Sequence, residues 1–391
     1  MKKIGIVTYY SIYNYGSVLQ AYALINTVQS LGYRAELINY NDMSKTHNII
    51  TRLSTYKNRF FCCIGRPVLL YETLSRKKVG NRSISARSDD LKQKFDSFIK
   101  ENLNLTNANY RNAKKSGFSA FICGSDQVWQ LNAAGLHEMF FLRFAPKYMR
   151  IAYAPSFGGT TIPEYNKRRL KKYLNEIPYI STREDTGVDV VMNSTGRNVQ
   201  TVLDPVLLVG KNFWEVEIKA VPVKKSSYLA CYFLSDASAA YKSIDNLCEQ
   251  YNLEVIWITS GKPLTDRDYR QYDASPLEFV SIIKNAKFVY TDSLHGTEFA
   301  ILLQIPFYVF DRKYEVVPEQ NTRIDSLLRM TCLKERLIRN GFDVDIDNAM
   351  NIDFKKAEEG IRAVKETSMN FLQTSLSNAN KIDGKEAKNN D

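Results

Sequence analysis

The sequence predicts an α/β protein built from two Rossmann-like domains that face one another across a cleft. Three observations carry that expectation. Short apolar strands alternate with amphipathic helices, which is the pattern of a parallel sheet. The alternation breaks off near residues 203–206 and begins again, giving two sets. A chain of 391 residues is also longer than one compact core usually serves. The divisions read from this pattern are an N-terminal domain over 1–208, a C-terminal domain over 209–353, a closing helix over 354–373 and a disordered polar tail over 374–391.

Each element follows from local signals. Residues 3–9 read as a buried strand, 10–16 as a polar loop, and Ser17 as the cap of a helix whose apolar positions Val18, Leu19, Tyr22, Ile25 and Val28 recur at helical spacing. Gly32 suits the end of that helix, and 34–39 gives the next strand. An amphipathic helix is expected over 89–101, then a strand over 120–123 ending in Gly124-Ser125-Asp126. Further strands are read at 150–154 and 179–181, with a helix opened by Pro163 between them. In the second set, 227–233 and 254–259 are strands, and Ser275-Pro276-Leu277-Glu278 is a capping box with proline at the first helical position. A strand over 287–290 feeds the turn Thr291-Asp292-Ser293-Leu294-His295-Gly296, a helix follows over 296–303, and 307–310 is the last strand.

Composition narrows the class. The net charge is +11, of which the segment 45–88 carries +9, from ten Lys/Arg against Glu72 alone. Mixed there with Phe60-Phe61 and Val68-Leu69-Leu70-Tyr71, the charge suits an anionic membrane surface or a lipid-linked pyrophosphate; a solvated helical insertion is the plainer alternative. No nucleic-acid-binding motif accompanies the charge, which sets nucleic acid aside. The six cysteines form no CxxC pair, as expected of a reducing compartment. The apolar N-terminal stretch is too short for a signal-peptide core, and no run approaches ~20 apolar residues. A cytoplasmic enzyme is expected, possible peripheral docking at the inner face of the membrane included.

Chemistry is expected at the carboxyl ends of the strands, where open α/β sheets bind ligands. His295 lies there, after a buried strand and near a helix start, and is the candidate catalytic residue. His47 reads as a surface residue and His137 as a loop residue. Asn14-Tyr15-Gly16-Ser17 precedes a helix N-terminus and suits a phosphate or carboxylate. Ser125, Asp126, Gln127 and Trp129 leave a strand end as a set that can hold sugar hydroxyls, a structural turn being the alternative. Arg183 can reach an anion or pair with Glu184 or Asp185. There is no G-x-G-x-x-G, no Walker loop and no His/Cys/Asp/Glu run with metal-ligand spacing, so no cofactor and no metal are expected.

Six segments then occur in order: 14–24 (NYGSVLQAYAL), 124–129 (GSDQVW), 153–158 (YAPSFG), 180–185 (ISTRED), 203–207 (LDPVL) and 291–306 (TDSLHGTEFAILLQIP). Together they resemble the polysaccharide pyruvyl transferases, over residues 4 to about 330. The resemblance implies a GT-B-like fold with the acceptor on the N-terminal side. It also implies transfer of the enolpyruvyl carbons of phosphoenolpyruvate onto two hydroxyls of a sugar or lipid-linked oligosaccharide of a cell-surface polysaccharide, making a pyruvate ketal. Arg183 matches the anion-binding arginine and His295 the histidine of the Leu-His signature, as acid or phosphate partner; Asp126 or Asp292 is the candidate base. Many members carry an arginine where this chain has Ser293, and a hydroxyl cannot replace a guanidinium fork. Arg312, Lys313 and Arg323 are the candidate replacements. The alternatives are a GT-B glycosyltransferase using a nucleotide-sugar, or a non-catalytic polysaccharide-binding member of the family.

Overall fold

The computed structural model describes residues 1–39, 87–109, 112–131, 136–218, 227–259, 265, 267–312, 321–339 and 344–388. The basic segment up to residue 86, His47 and Lys313 lie outside the described residues.

The first sheet begins with β1 (Lys3–Val7), whose four buried residues after Lys3 fit a strand covered on both faces. Helix α1 (Tyr15–Ser30) leads to β2 (Arg34–Asn39). After α2 (Asp89–Asn102) come β3 (Leu105–Asn109), β4 (Ala120–Cys123) and β5 (Arg150–Ala152). Then α3 (Glu164–Asn175), β6 (Tyr179–Thr182), α4 (Asp185–Thr195) and β7 (Gln200–Thr201) complete the half. The strands are parallel and ordered β3-β2-β1-β4-β5-β6-β7.

Two short helices, α5 (Pro205–Val209) and α6 (Lys211–Glu217), carry the chain across. The second half runs β8 (Tyr228–Tyr232), α7 (Tyr241–Tyr251), β9 (Glu254–Ile258), β10 (Arg270–Tyr272), α8 (Pro276–Asn285), β11 (Phe288–Thr291), α9 (Leu294–Leu303), β12 (Phe307–Phe310), α10 (Thr322–Met330) and β13 (Leu337–Ile338). Its order is β10-β9-β8-β11-β12-β13, again all parallel. Each sheet thus reverses direction beside its own first strand, at β1/β4 and at β8/β11, where the crevice of a doubly wound sheet opens. The two Rossmann-like domains are as the alternating pattern predicts, and their GT-B-like arrangement is as the resemblance implies.

The halves meet through α1, which packs on α8 and α9. Tyr15 anchors the contact: its ring stacks on Phe279 at 4.5 Å, and its hydroxyl lies 3.0 Å from the carbonyl of Ala274 and 3.2 Å from that of Thr259. The capping box forms as read, with Ser275 Oγ accepting from Glu278 N–H and Glu278 accepting from Ser275 N–H.

Three readings are corrected. Asn14, not Ser17, caps α1, because Asn14 is extended and its Oδ1 takes the Ser17 N–H at 3.1 Å. Helix α9 starts at Leu294 with Ser293 as its cap, so His295 stands in the first helical turn rather than before it. The tail read as disordered from 374 continues the last helix, α11 (Phe354–Lys388), in which Leu372, Leu376 and Ala379 bury one face. That helix returns to the first domain, where Ser368 Oγ accepts from the Leu203 N–H at 2.9 Å. Among the described residues, no helix is long and apolar enough to cross a membrane.

Candidate active site

His295 is set in place by the turn that precedes it. Thr291 ends β11 with its hydroxyl on the carbonyl of Tyr232 at 2.6 Å, and its Oγ1 accepts from the Ser293 N–H at 3.0 Å. Ser293 Oγ in turn faces the Gly296 N–H at 3.4 Å. With three consecutive polar groups spent on the turn, the imidazole projects from the first turn of α9 toward the other domain. There it rests on the start of α1: a Cβ built on Gly16 would lie 2.0 Å from His295 Nδ1. Only glycine admits the ring at this distance.

A buried charged cluster surrounds Nε2. Asp204, fully buried ahead of α5, has Oδ2 3.7 Å from His295 Nε2, 2.8 Å from Arg183 Nη1 and 2.9 Å from Ser125 Oγ. Its Oδ1 accepts from the Val206 N–H at 3.0 Å, capping α5. Burial alone would raise the Asp204 pKa. The imidazole of His295, the Arg183 guanidinium and the Val206 N–H outweigh it and hold the carboxyl well below the usual carboxylate range. Arg183 is pulled down by burial but pushed further up by Asp204 first and then by Asp126 and Glu184, so it stays a cation. Its Nε and Nη2 are enclosed without a hydrogen-bond partner. Two unused donors on a buried guanidinium fork are what an anionic ligand requires.

Two cavities flank this cluster. A front cleft of about 130 Å³ is lined by His295, Asp126, Asn14 and Gln127, together with Arg312 and Arg323. A rear cavity of about 260 Å³ is lined by Arg183, Glu298 and Arg323 among apolar side chains of α5, α9 and α10. Leu294 and Arg323 line both.

Of the sequence-predicted residues, His295, Asp126, Asn14, Gln127, Ser293, Asp292, Arg312 and Arg323 meet at the front cleft, and Arg183 at the rear one. Asp126 Oδ2 accepts from Ser17 Oγ at 2.5 Å and Oδ1 from the Gln127 N–H at 2.7 Å. Asp292 is differently employed. Oδ1 accepts from the Leu234 N–H at 2.7 Å and Oδ2 from the Ser235 N–H and hydroxyl at 2.9 and 2.6 Å. Asp292 therefore ties the loop after β8 to the β11 turn, and it steadies Arg312, whose Nε lies 3.5 Å away. With three donors and a guanidinium on it, Asp292 is a poorer base than Asp126, which accepts two hydrogen bonds and faces the front cleft.

Two expectations fail on packing. Trp129 is buried, stacked on Phe141 at 5.0 Å with its indole N–H on the carbonyl of Phe140 at 2.8 Å, so it is core and not a sugar platform. Tyr15 is likewise buried in the domain contact. Arg183 takes neither local alternative as its main partner: Asp185 pairs with Arg329 at 2.7 Å, and Glu184 stands 3.9 Å off. His137 is a local cap, its Nδ1 accepting from the Met139 N–H at 3.2 Å.

Asp204 and Glu298 were missed as site residues. Asp204 stands inside the 203–207 segment, where the alternation of strands and helices breaks off and nothing local marks it as a site residue. Glu298 follows His295 by three positions, the spacing that shares a helix face. With His295 they bring three ligand-type atoms within 4.8 Å of one another, a grouping that the linear sequence hides and that could hold a metal ion. Arg183 sits on Asp204 at 2.8 Å and would repel a divalent cation there.

Solved structures similar to this chain include the UDP-GlcNAc 2-epimerase of Neisseria meningitidis bound to UDP-GlcNAc (10% identity, 94% of this chain and 99% of that chain, TM-score 0.45). The UDP-GlcNAc 2-epimerase of Methanocaldococcus jannaschii in complex with UDP-GlcNAc and UDP is another (13%, 94% and 99%, TM-score 0.44). A third is the Streptomyces sp. SF2575 glycosyltransferase SsfS6 complexed with thymidine diphosphate (11%, 99% and 100%, TM-score 0.40). No curated protein sequence matches. The family described as polysaccharide pyruvyl transferase matches residues 14–314, a span that holds Gly16, Asp126, Arg183, Asp204 and His295. The chain belongs to the polysaccharide pyruvyl transferase family.

Proposed function

We propose that this transferase moves the enolpyruvyl carbons of phosphoenolpyruvate onto two hydroxyls of a sugar in a cell-surface polysaccharide or its lipid-linked precursor, closing a pyruvate ketal. The observation that carries the reading is convergence: segments 14–17, 125–126, 183, 204 and 295, far apart in the chain, meet around one imidazole beside a cation with spare donors.

The donor brings a carboxylate and a phosphate. Arg183, through Nε and Nη2, and Arg323, which lines both cavities, are the groups to hold them. Arg323 and Arg312 then stand in for the arginine that Ser293 displaces, since Ser293 is spent on capping α9. The sugar enters the front cleft, where Asn14 and Gln127 offer hydrogen bonds and Asp126 takes the proton of the attacking hydroxyl. His295 lies where a proton or the departing phosphate must be handled. The work belongs on the cytoplasmic side, with the basic segment 45–88 holding the protein to an anionic membrane surface.

Phosphate release from phosphoenolpyruvate, followed over a panel of free and lipid-linked sugars, tests this. His295→Ala should lower the rate by about 10²–10⁴-fold, the usual worth of a positioned proton-transfer group. If wild type released no phosphate with any acceptor and the variant matched it, the proposal would fail. Stabilisation by nucleoside diphosphates and not by phosphoenolpyruvate would move the reading to a nucleotide-sugar enzyme. Activity should also survive prolonged treatment with a metal chelator, because Arg183 supplies at Asp204 the positive charge that an ion would bring. Loss on chelation with recovery on adding a divalent cation would reverse that assignment.

A further inference from the structure

Glu298 is a buried titratable group at this site for which pyruvyl transfer, as set out so far, has no task. It projects from the same face of α9 as His295, is 2% exposed, and lines the rear cavity with Arg183 and Arg323. Its Oε2 is enclosed and has no hydrogen-bond partner. A buried carboxyl with an idle oxygen is costly unless it is neutral or meets a ligand. The charges facing it are Asp204 from the linker before α5, Asp126 from the loop after β4, Arg183 after β6 and Arg323 on α10. His295 on its own helix completes the group. Burial first, then the Asp204 carboxylate, pushes Glu298 well above the usual carboxylate range against the pull of Arg183 and Arg323. The group is held as an acid.

We infer that Glu298 delivers a proton to the methylene carbon of the donor from the rear cavity, while His295, one helical turn earlier, meets the transferring phosphate. This rests on the pyruvyl-transfer reading. The proton leaves Glu298 and the C=C electron pair forms the new C–H bond, converting methylene to methyl and leaving the adjacent carbon electron-poor. A sugar hydroxyl adds to that carbon and gives its proton to Asp126. The carbon–oxygen bond to phosphate then breaks with its electron pair on phosphate, and the second hydroxyl closes the ketal. Of the two hydroxyl protons released, one restores Glu298 and the other leaves with phosphate, so the sum is donor plus diol to ketal plus inorganic phosphate. Two catalytic acids on one helix face divide carbon protonation from phosphate departure.

The test compares wild type with Glu298→Gln, which keeps size and neutrality but cannot give up a proton. The inference expects kcat for phosphate release to fall by about 10²–10⁴-fold. KM for phosphoenolpyruvate should stay within about threefold, the mark of an interaction made in the transition state. Wild-type activity should fall as pH rises through the Glu298 titration, and that limb should vanish in the variant. Should glutamine not fold, Glu298→Asp keeps an acid but withdraws it by one methylene, and the same loss in kcat is expected. Activity of a folded Glu298→Gln within threefold of wild type, with the alkaline limb intact, would overturn the inference while leaving pyruvyl transfer standing. Wild type that neither binds nor turns over phosphoenolpyruvate would remove pyruvyl transfer, and the inference with it.

Discussion

Replacing Arg183 by alanine should abolish phosphate release and also loosen the fold, by about 3–5 kcal/mol, because it leaves the Asp204 carboxylate buried without its cation. The side chains of the pair are 4% and 0% exposed, and the charge attraction acts at 2.8 Å. The remaining neighbours of Asp204 replace the guanidinium only in part: Ser125 is neutral, and His295 Nε2 stands 3.7 Å off against 2.8 Å for Arg183. The catalytic loss should be at least roughly 10²–10³-fold, the usual cost of removing one preorganised donor from a developing charge. Arg183→Lys separates the two effects. A lysine ammonium can still neutralise Asp204, so stability should largely return. It has no fork with which to serve Asp204 and a ligand at once, so activity should not. Chemical denaturation and phosphate-release assays on both variants decide the matter, and an active Arg183→Ala would show that the anion binds elsewhere.

The second large effect is expected at Gly16. An alanine there would put a methyl carbon 2.0 Å from His295 Nδ1, closer than two such atoms can approach. The helix cannot yield, since Tyr15 beside it is locked against Phe279 and the loops before α8. The imidazole must move. A displacement of about 1 Å at a reacting group costs roughly 10²-fold in rate. Alanine is meanwhile the better helix former, by about 1 kcal/mol. Gly16→Ala should therefore lose kcat without a matching loss of melting temperature. Retained kcat would mean that the ring position seen in the structure is not the working one.

What could be read from the sequence follows a physical line. The strands β4, β8, β11 and β12 are buried throughout, and β1 and β9 after their first residues turn apolar, so composition announces them. β7 and β13 have two residues each and β10 three, too few for any periodicity, and they pass unseen. His295 was legible because strand, turn and helix start are local signals. Asp204 was not, because Arg183 reaches it through the folding of the first half and His295 reaches it only from the second half. Trp129 and Tyr15 misled for the opposite reason. Each lies beside residues that reach the cleft, yet points the other way into packed aromatics, and residue type cannot reveal direction. Ser293 looked like a missing cation and proved to be a helix cap, a role that a short hydroxyl fills well.

The contact between Gly16 and His295 bears on register. The glycine belongs to one half of the molecule and the imidazole to the other, and Asp204 with Arg183 stands on the glycine's side. A shift of one half against the other would draw the imidazole off its seat and away from Asp204. The set is whole only while the two halves keep this register, and the register is written into where one hydrogen atom takes the place of a side chain.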